Sequence, residues 1–232
     1  MIPIPADCRQ ILLCLAPTWD AQDGRLQCFE RLPGGAWKPE GEALPVTLGR
    51  NGLAWGRGRH PAMSGLAKQE GDGRAPAGVF SISAVFGYAP AACVNGLPYL
   101  SAHPGLRCVD DPASAHYNCL VDQASCAVDW TSSEAMLRSD ARYELGAVVA
   151  HNADAPKAGC GSCIFLHVWE APGVPTAGCT AMALADMRRI VAWLEGAAAP
   201  VLLQLPSQAY ASLRADWALP LWGGPELVGL QP

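Results

Sequence analysis

The sequence predicts a mixed, mainly β fold with a few helices, in one domain spanning residues 1–232. Three observations carry this. Short apolar or alternating runs bounded by glycine and proline recur along the chain, the pattern of strands and turns. Sustained apolar spacing of the helical kind is concentrated in one stretch, after Cys179. Hydrophobic residues make up 50% of 232 positions, ample for a single core, and no internal repeat or low-complexity tract divides the chain.

The elements follow in order. Gln10 to Ala16, QILLCLA, reads as a buried strand. Leu26 to Arg31 alternates enough to be its partner, with Asp23-Gly24 as the turn of a hairpin. Trp37 and Pro45 to Leu48 suggest another strand. The glycines of GRNGLAWGRGRH (Gly49, Gly52, Gly56, Gly58) lack the strand-to-helix context of a phosphate cradle and read as turns. A polar turn around Asp72-Gly73 leads into a strand from Gly78 to Val85. Residues 87–129 show little periodicity and read as ordered loops over the sheet. Within them Asp110-Asp111 precedes Pro112, the position of a turn cap, with substrate contact as the alternative for Asp111 and for nearby Tyr117. Thr131-Ser132-Ser133-Glu134 fits a capping box, so a short helix is expected to run to Arg138. GAVVAHN, Gly146 to Asn152, is a strand ending on His151, either a structural histidine or a neighbour of the site. After Cys179, Leu184, Met187, Ile190, Val191 and Leu194 repeat at helical spacing and Gly196 supplies a stop. Val201 to Leu205 closes the sheet, and the tail with Trp217 and Trp222 packs against it.

The chemistry concentrates in IFLHVWEAPGVPTAGCT, Ile164 to Thr180. As a strand, it puts Cys163, Phe165 and His167 on one face and Ile164, Leu166 and Val168 on the other. Pro172, Gly173 and Pro175 loop the chain out and return Cys179 to the strand end. A cysteine attacks carbonyl carbon as its thiolate, and a histidine can take the thiol proton and later protonate a leaving amine. Cys179 is therefore the candidate nucleophile and His167 its base. Gly178 lets a substrate carbonyl approach the backbone, with N–H groups around Cys179 as an oxyanion hole. The thiol is expected just before a helix N-terminus, which would lower its pKa.

The reading Thr176-Ala177-Gly178-Cys179, separated from His167 by eight residues, resembles the catalytic motif of the L,D-transpeptidase (YkuD-type) family, in which Ser/Thr-His-Gly-Cys follows a histidine and a loop. Ala177 stands where the family has histidine, and Ala181 where it has Asn or Arg. GRNGLAWG, EGDGRAPAGVFSI, DDPASAHYN, SSEAML and GSCIFLH extend the resemblance in order over most of the chain. It implies a β-sandwich catalytic fold, peptidoglycan stem peptides as substrate, no cofactor, Thr176 near the substrate, and carbapenem-type β-lactams as inhibitors. Arg138 is a candidate to clamp a substrate carboxylate in place of the absent post-cysteine arginine, the other reading being an exposed helical arginine. The family resemblance implies the periplasm or cell envelope. Met1 to Asp20 has no signal-peptide pattern, so a chain native from Met1 would be cytoplasmic.

A net charge of -5 with 16% charged residues argues against a nucleic-acid surface, and no apolar run reaches the length of a membrane helix. Ten cysteines are many for a reducing compartment, though no pairing can be assigned. Cys8, Cys14, Cys28, Cys93, Cys108, Cys119 and Cys126 read as small buried hydrophobes. A reading of another class takes Cys160, Cys163, His167 and Cys179 as a zinc set in a non-catalytic binding domain. Against it, Cys163 and His167 on one strand face would lie roughly 13 Å apart, too far for one tetrahedral ion.

Overall fold

The computed structural model describes residues 2–92 and 94–225. It is mainly β, as expected, and its largest sheet is barrel-like. The ring runs through β1 (Gln10–Ala16), β2 (Asp23–Arg31), β3 (Trp37–Thr47), β5 (Ala75–Gly87), β10 (Leu145–Val149), β11 (Phe165–Val168), β12 (Thr180–Met182) and β13 (Val201–Pro206). Neighbours follow the order β10-β11-β12-β3-β2-β1-β13-β5, and β5 pairs with β10 to close it. Two short strands, β4 (Leu53–Trp55) and β6 (Tyr99–Ser101), run parallel to the long β5. A separate three-stranded sheet, β8-β7-β9, is built from β7 (Leu106–Val109), β8 (Leu120–Asp122) and β9 (Ser133–Ala135). Among the described residues no helix is long and apolar enough to cross a membrane.

β1 is buried along its whole length, as its unbroken apolar run requires, lying between antiparallel β2 and parallel β13. The expected turn at Asp23-Gly24 is instead the first part of β2, and the chain turns earlier, after Pro17. Gly24 serves a close approach: a Cβ there would come within 2.7 Å of the Leu15 carbonyl oxygen. The helix after Cys179 forms as α1 (Leu184–Trp193), burying Met187, Ile190 and Val191 and packing on β10 and β11. A second helix, α2 (Ser207–Leu213), follows β13 directly. The tail packs as expected, with Trp217 buried.

Two expectations between residues 87 and 138 are corrected. The loops contain β6, β7 and β8, and the capping-box segment is strand β9, not a helix. Tertiary partners claim the capping groups: the Thr131 N–H and hydroxyl both donate to Asp111 Oδ2, at 2.8 and 2.7 Å. Arg107 donates to the Ser133 hydroxyl and carbonyl, and Glu134 accepts from the Tyr143 hydroxyl instead of reaching back to a helix end.

Alternation along β11 holds. Ile164, Leu166 and Val168 enter the main core, whereas Cys163, Phe165 and Cys179 enter a second cluster with Phe86, Met136 and Tyr143. That second cluster fills the seam between the ring and the three-stranded sheet, and the candidate site opens beside it.

Candidate active site

β11 and β12 are parallel neighbours, with Leu166 opposite Thr180 and His167 opposite Ala181. Cys179 directly precedes β12, so its side chain lies on the same sheet face as those of Phe165 and His167. The Phe165 N–H donates to Cys179 Sγ at 3.3 Å, and the thiol donates to the Cys163 carbonyl at 3.6 Å. His167 and Cys179 line one pocket of about 160 Å³, together with Glu134, Arg138, Tyr143 and Trp169. The loop between the strands is tied to the end of β3: Thr176 N–H donates to the Leu48 carbonyl and Arg50 N–H to the Thr176 carbonyl, at 2.8 and 2.9 Å.

The imidazole tautomer follows from its one hydrogen bond. His167 Nδ1 lies 2.8 Å from the Val168 carbonyl, which can only accept, so Nδ1 carries the proton and Nε2 keeps its lone pair. Burial, the main cause, lowers the His167 pKa to about 4. The Cys179 thiol is pushed up to about 12, first by burial and then by Glu134. The expected depression by a helix N-terminus is absent, because β12 separates Cys179 from α1. The pair therefore rests as thiol and neutral imidazole, and proton transfer has to accompany attack on a bound carbonyl.

Thr176 and Gly178 shape the backbone turn that carries Cys179. The Thr176 hydroxyl donates to the Cys179 carbonyl at 2.7 Å and accepts the Gly178 N–H at 3.1 Å. That N–H is thus committed and unavailable to an oxyanion. Gly178 has φ +157°, and a Cβ there would sit 3.1 Å from the Arg74 carbonyl oxygen, so the position needs a residue without a side chain. Arg138 does reach the pocket, from the segment after β9. Its guanidinium is held by Asp140, which it shares with Arg142, and covers the Tyr143 ring at 5.2 Å.

The remaining candidates lie elsewhere. His151 is buried with both ring nitrogens used: Nδ1 accepts the Arg57 N–H at 3.2 Å and Nε2 donates to the Cys160 carbonyl at 2.9 Å. It is the structural histidine of the two readings. Asp111 caps its turn, accepting from Thr131 and, through Oδ1, from the Ala113 N–H at 2.9 Å. Tyr117 is buried and donates to Glu70 Oε2 at 2.5 Å, which also accepts from Ser162.

Cys163 is bonded to Cys108, a pairing that corrects two readings. Neither is a free buried thiol, and a sulfur in a disulfide is no thiolate ligand, which removes Cys163 from the zinc set. No group of three or more His, Cys, Asp or Glu side chains is arranged to hold a metal among the described residues. Of the other cysteines read as buried, Cys8 and Cys14 are, Cys28 and Cys126 are half-buried, Cys119 is exposed, and Cys93 lies outside the described residues.

No family model, characterised protein or solved structure matches the chain. Sequence reasoning missed Glu134 and Tyr143 as pocket residues. The capping-box pattern assigned Glu134 to a helix end, and no local pattern singled out Tyr143.

Proposed function

We propose that the protein is a cysteine acyl-transfer enzyme of the L,D-transpeptidase type, acting on peptidoglycan stem tetrapeptides. The supporting observation is the meeting of His167 and Cys179 on adjacent strands at one pocket, with the Nε2 lone pair of His167 uncommitted. Cys179 Sγ attacks the carbonyl between the L-centre of the third stem residue and the terminal D-alanine, while the thiol proton passes to His167 Nε2. The C–N bond breaks, His167 protonates the leaving amine, and a thioester remains on Cys179. An amine from a second stem then forms an L,D cross-link; resolution by water would make the same site an L,D-carboxypeptidase. The Cys108–Cys163 disulfide fits the oxidising cell envelope that the resemblance implies.

The test is incubation with a disaccharide tetrapeptide, followed by mass spectrometry of products and intact protein. D-alanine release with a mass adduct on Cys179 is expected, as is a covalent adduct with a carbapenem-type β-lactam. Cys179→Ala should abolish both, and a variant that keeps full turnover would sink the reading.

A further inference from the structure

The pocket beside Cys179 holds a carboxyl group that the two-residue mechanism leaves unused. Glu134, on β9, lines the pocket half-buried, and its one hydrogen bond is accepted through Oε2 from the Tyr143 hydroxyl. Tyr143 is itself fixed, packed edge-on against Phe86, Phe165 and His167 with ring centroids 5.1 to 5.6 Å apart across this cluster. The other charges around the pocket are matched. Arg138 and Arg142 share Asp140, and Arg142 also reaches Glu170 at 3.4 Å. Glu134 has no cationic partner within ion-pair distance among the described residues, so the unmatched charge that the pocket offers is negative. Burial raises the Glu134 pKa, which makes it a better proton acceptor than an exposed carboxylate.

We propose that Glu134 binds the ammonium group of the acyl acceptor and removes its proton, readying the amine to attack the thioester. This rests on the acyl-enzyme reading above. The ammonium gives one proton to the Glu134 carboxylate, leaving a neutral amine and a carboxylic acid. The amine nitrogen bonds to the thioester carbon, and His167 Nε2 takes one proton from the nitrogen of the tetrahedral intermediate. The C–S bond then breaks and the departing sulfur takes that proton from His167, while Glu134 returns its own to solvent. Atoms and charge balance with no further reactant.

Glu134→Gln keeps the size of the side chain and an oxygen to accept the Tyr143 hydroxyl. Wild type and variant are compared in three reactions: thioester formation with D-alanine release, cross-linking to a stem peptide carrying a free amine, and transfer to hydroxylamine, a nucleophile uncharged at neutral pH. The variant is expected to form the thioester at least as fast as wild type, since loss of the Glu134 charge removes one cause of the raised Cys179 pKa, to keep transfer to hydroxylamine, and to lose cross-linking on the order of 100-fold, the range of a general base. An unchanged ratio of cross-linking to hydroxylamine transfer would overturn the proposal. So would an equal fall in all three reactions, the mark of a structural role. A wild-type protein that forms the thioester and never transfers it to an amine overturns this proposal alone, whereas one that forms no thioester overturns the acyl-enzyme reading as well.

Discussion

His151 and His167 are held neutral inside the fold, each with a pKa of about 4, and that has a thermodynamic cost in acid. In the unfolded chain both take up protons near the ordinary 6.5, whereas the folded protein resists protonation until about pH 4. The unfolded state therefore binds more protons between these values. Stability present above pH 6.5 is lost as pH falls through the window, by up to roughly 3 kcal/mol for each histidine. Urea unfolding at pH 7, 5.5 and 4.5 should show stability falling as pH drops, with buried His60 adding to the fall and Glu134 opposing it, and His151→Gln should reduce the slope by about one proton; an identical slope in the variant would contradict the burial argument. At this scale the sequence was partly legible. Alternation alone put His167 on the Cys163 and Phe165 face, and a Thr-x-Gly-Cys turn marked the thiol. Glu134 and Tyr143 were illegible, because they belong to other segments and meet the thiol only when a second sheet docks on the ring.

Among the elements, the three-stranded sheet is the one most dependent on a long-range bond. Its central strand β7 carries Cys108, whose partner Cys163 enters β11 and offers its carbonyl to the Cys179 thiol. Asn118 adds a polar staple to the same segment: its Oδ1 accepts the Cys163 N–H at 2.9 Å and its amide donates to the carbonyls of His151 and Asn152. A loop closed across a sequence separation of 55 is worth about 4 kcal/mol on chain-entropy grounds. The double variant Cys108→Ser, Cys163→Ser is expected to lower stability by that order and to slow acylation of Cys179. Calorimetry and the rate of adduct formation check the two effects, and an acylation rate unchanged in the folded variant would separate the disulfide from the site. Helix α1 was legible because its apolar spacing is local. Strand β9 was not, since Asp111, Arg107 and Tyr143 drew away the groups that a helix cap would have used.

Across the whole molecule, stability rests on a ring that buries β1 on both sides. Leu13 is fully buried on it, opposite Gln27 on one neighbour and Leu203 on the other. Leu13→Ala should cost 2–5 kcal/mol in urea unfolding. Leu137, 39% exposed, provides the contrast, and its replacement by alanine should stay within about 0.5 kcal/mol. Similar losses at the two sites would mean that β1 is less enclosed than described. The strands of the ring were largely legible one by one, but their closure was not. Runs such as QILLCLA and VLLQLP declare burial without declaring partners, and the pairing of β1 with β13 joins positions at opposite ends of the sequence.

The position of β13 also bears on how the protein is made. It is the stave between β1 and β5, so a chain emerging from the ribosome can assemble its hairpin and its central strands early but cannot close the ring until residue 206 is out. For most of synthesis the apolar edges of β1 and β5 stay unpaired, open to any other strand that meets them. A nascent chain that stalls anywhere between β5 and β13 therefore holds both edges open for as long as it is stalled.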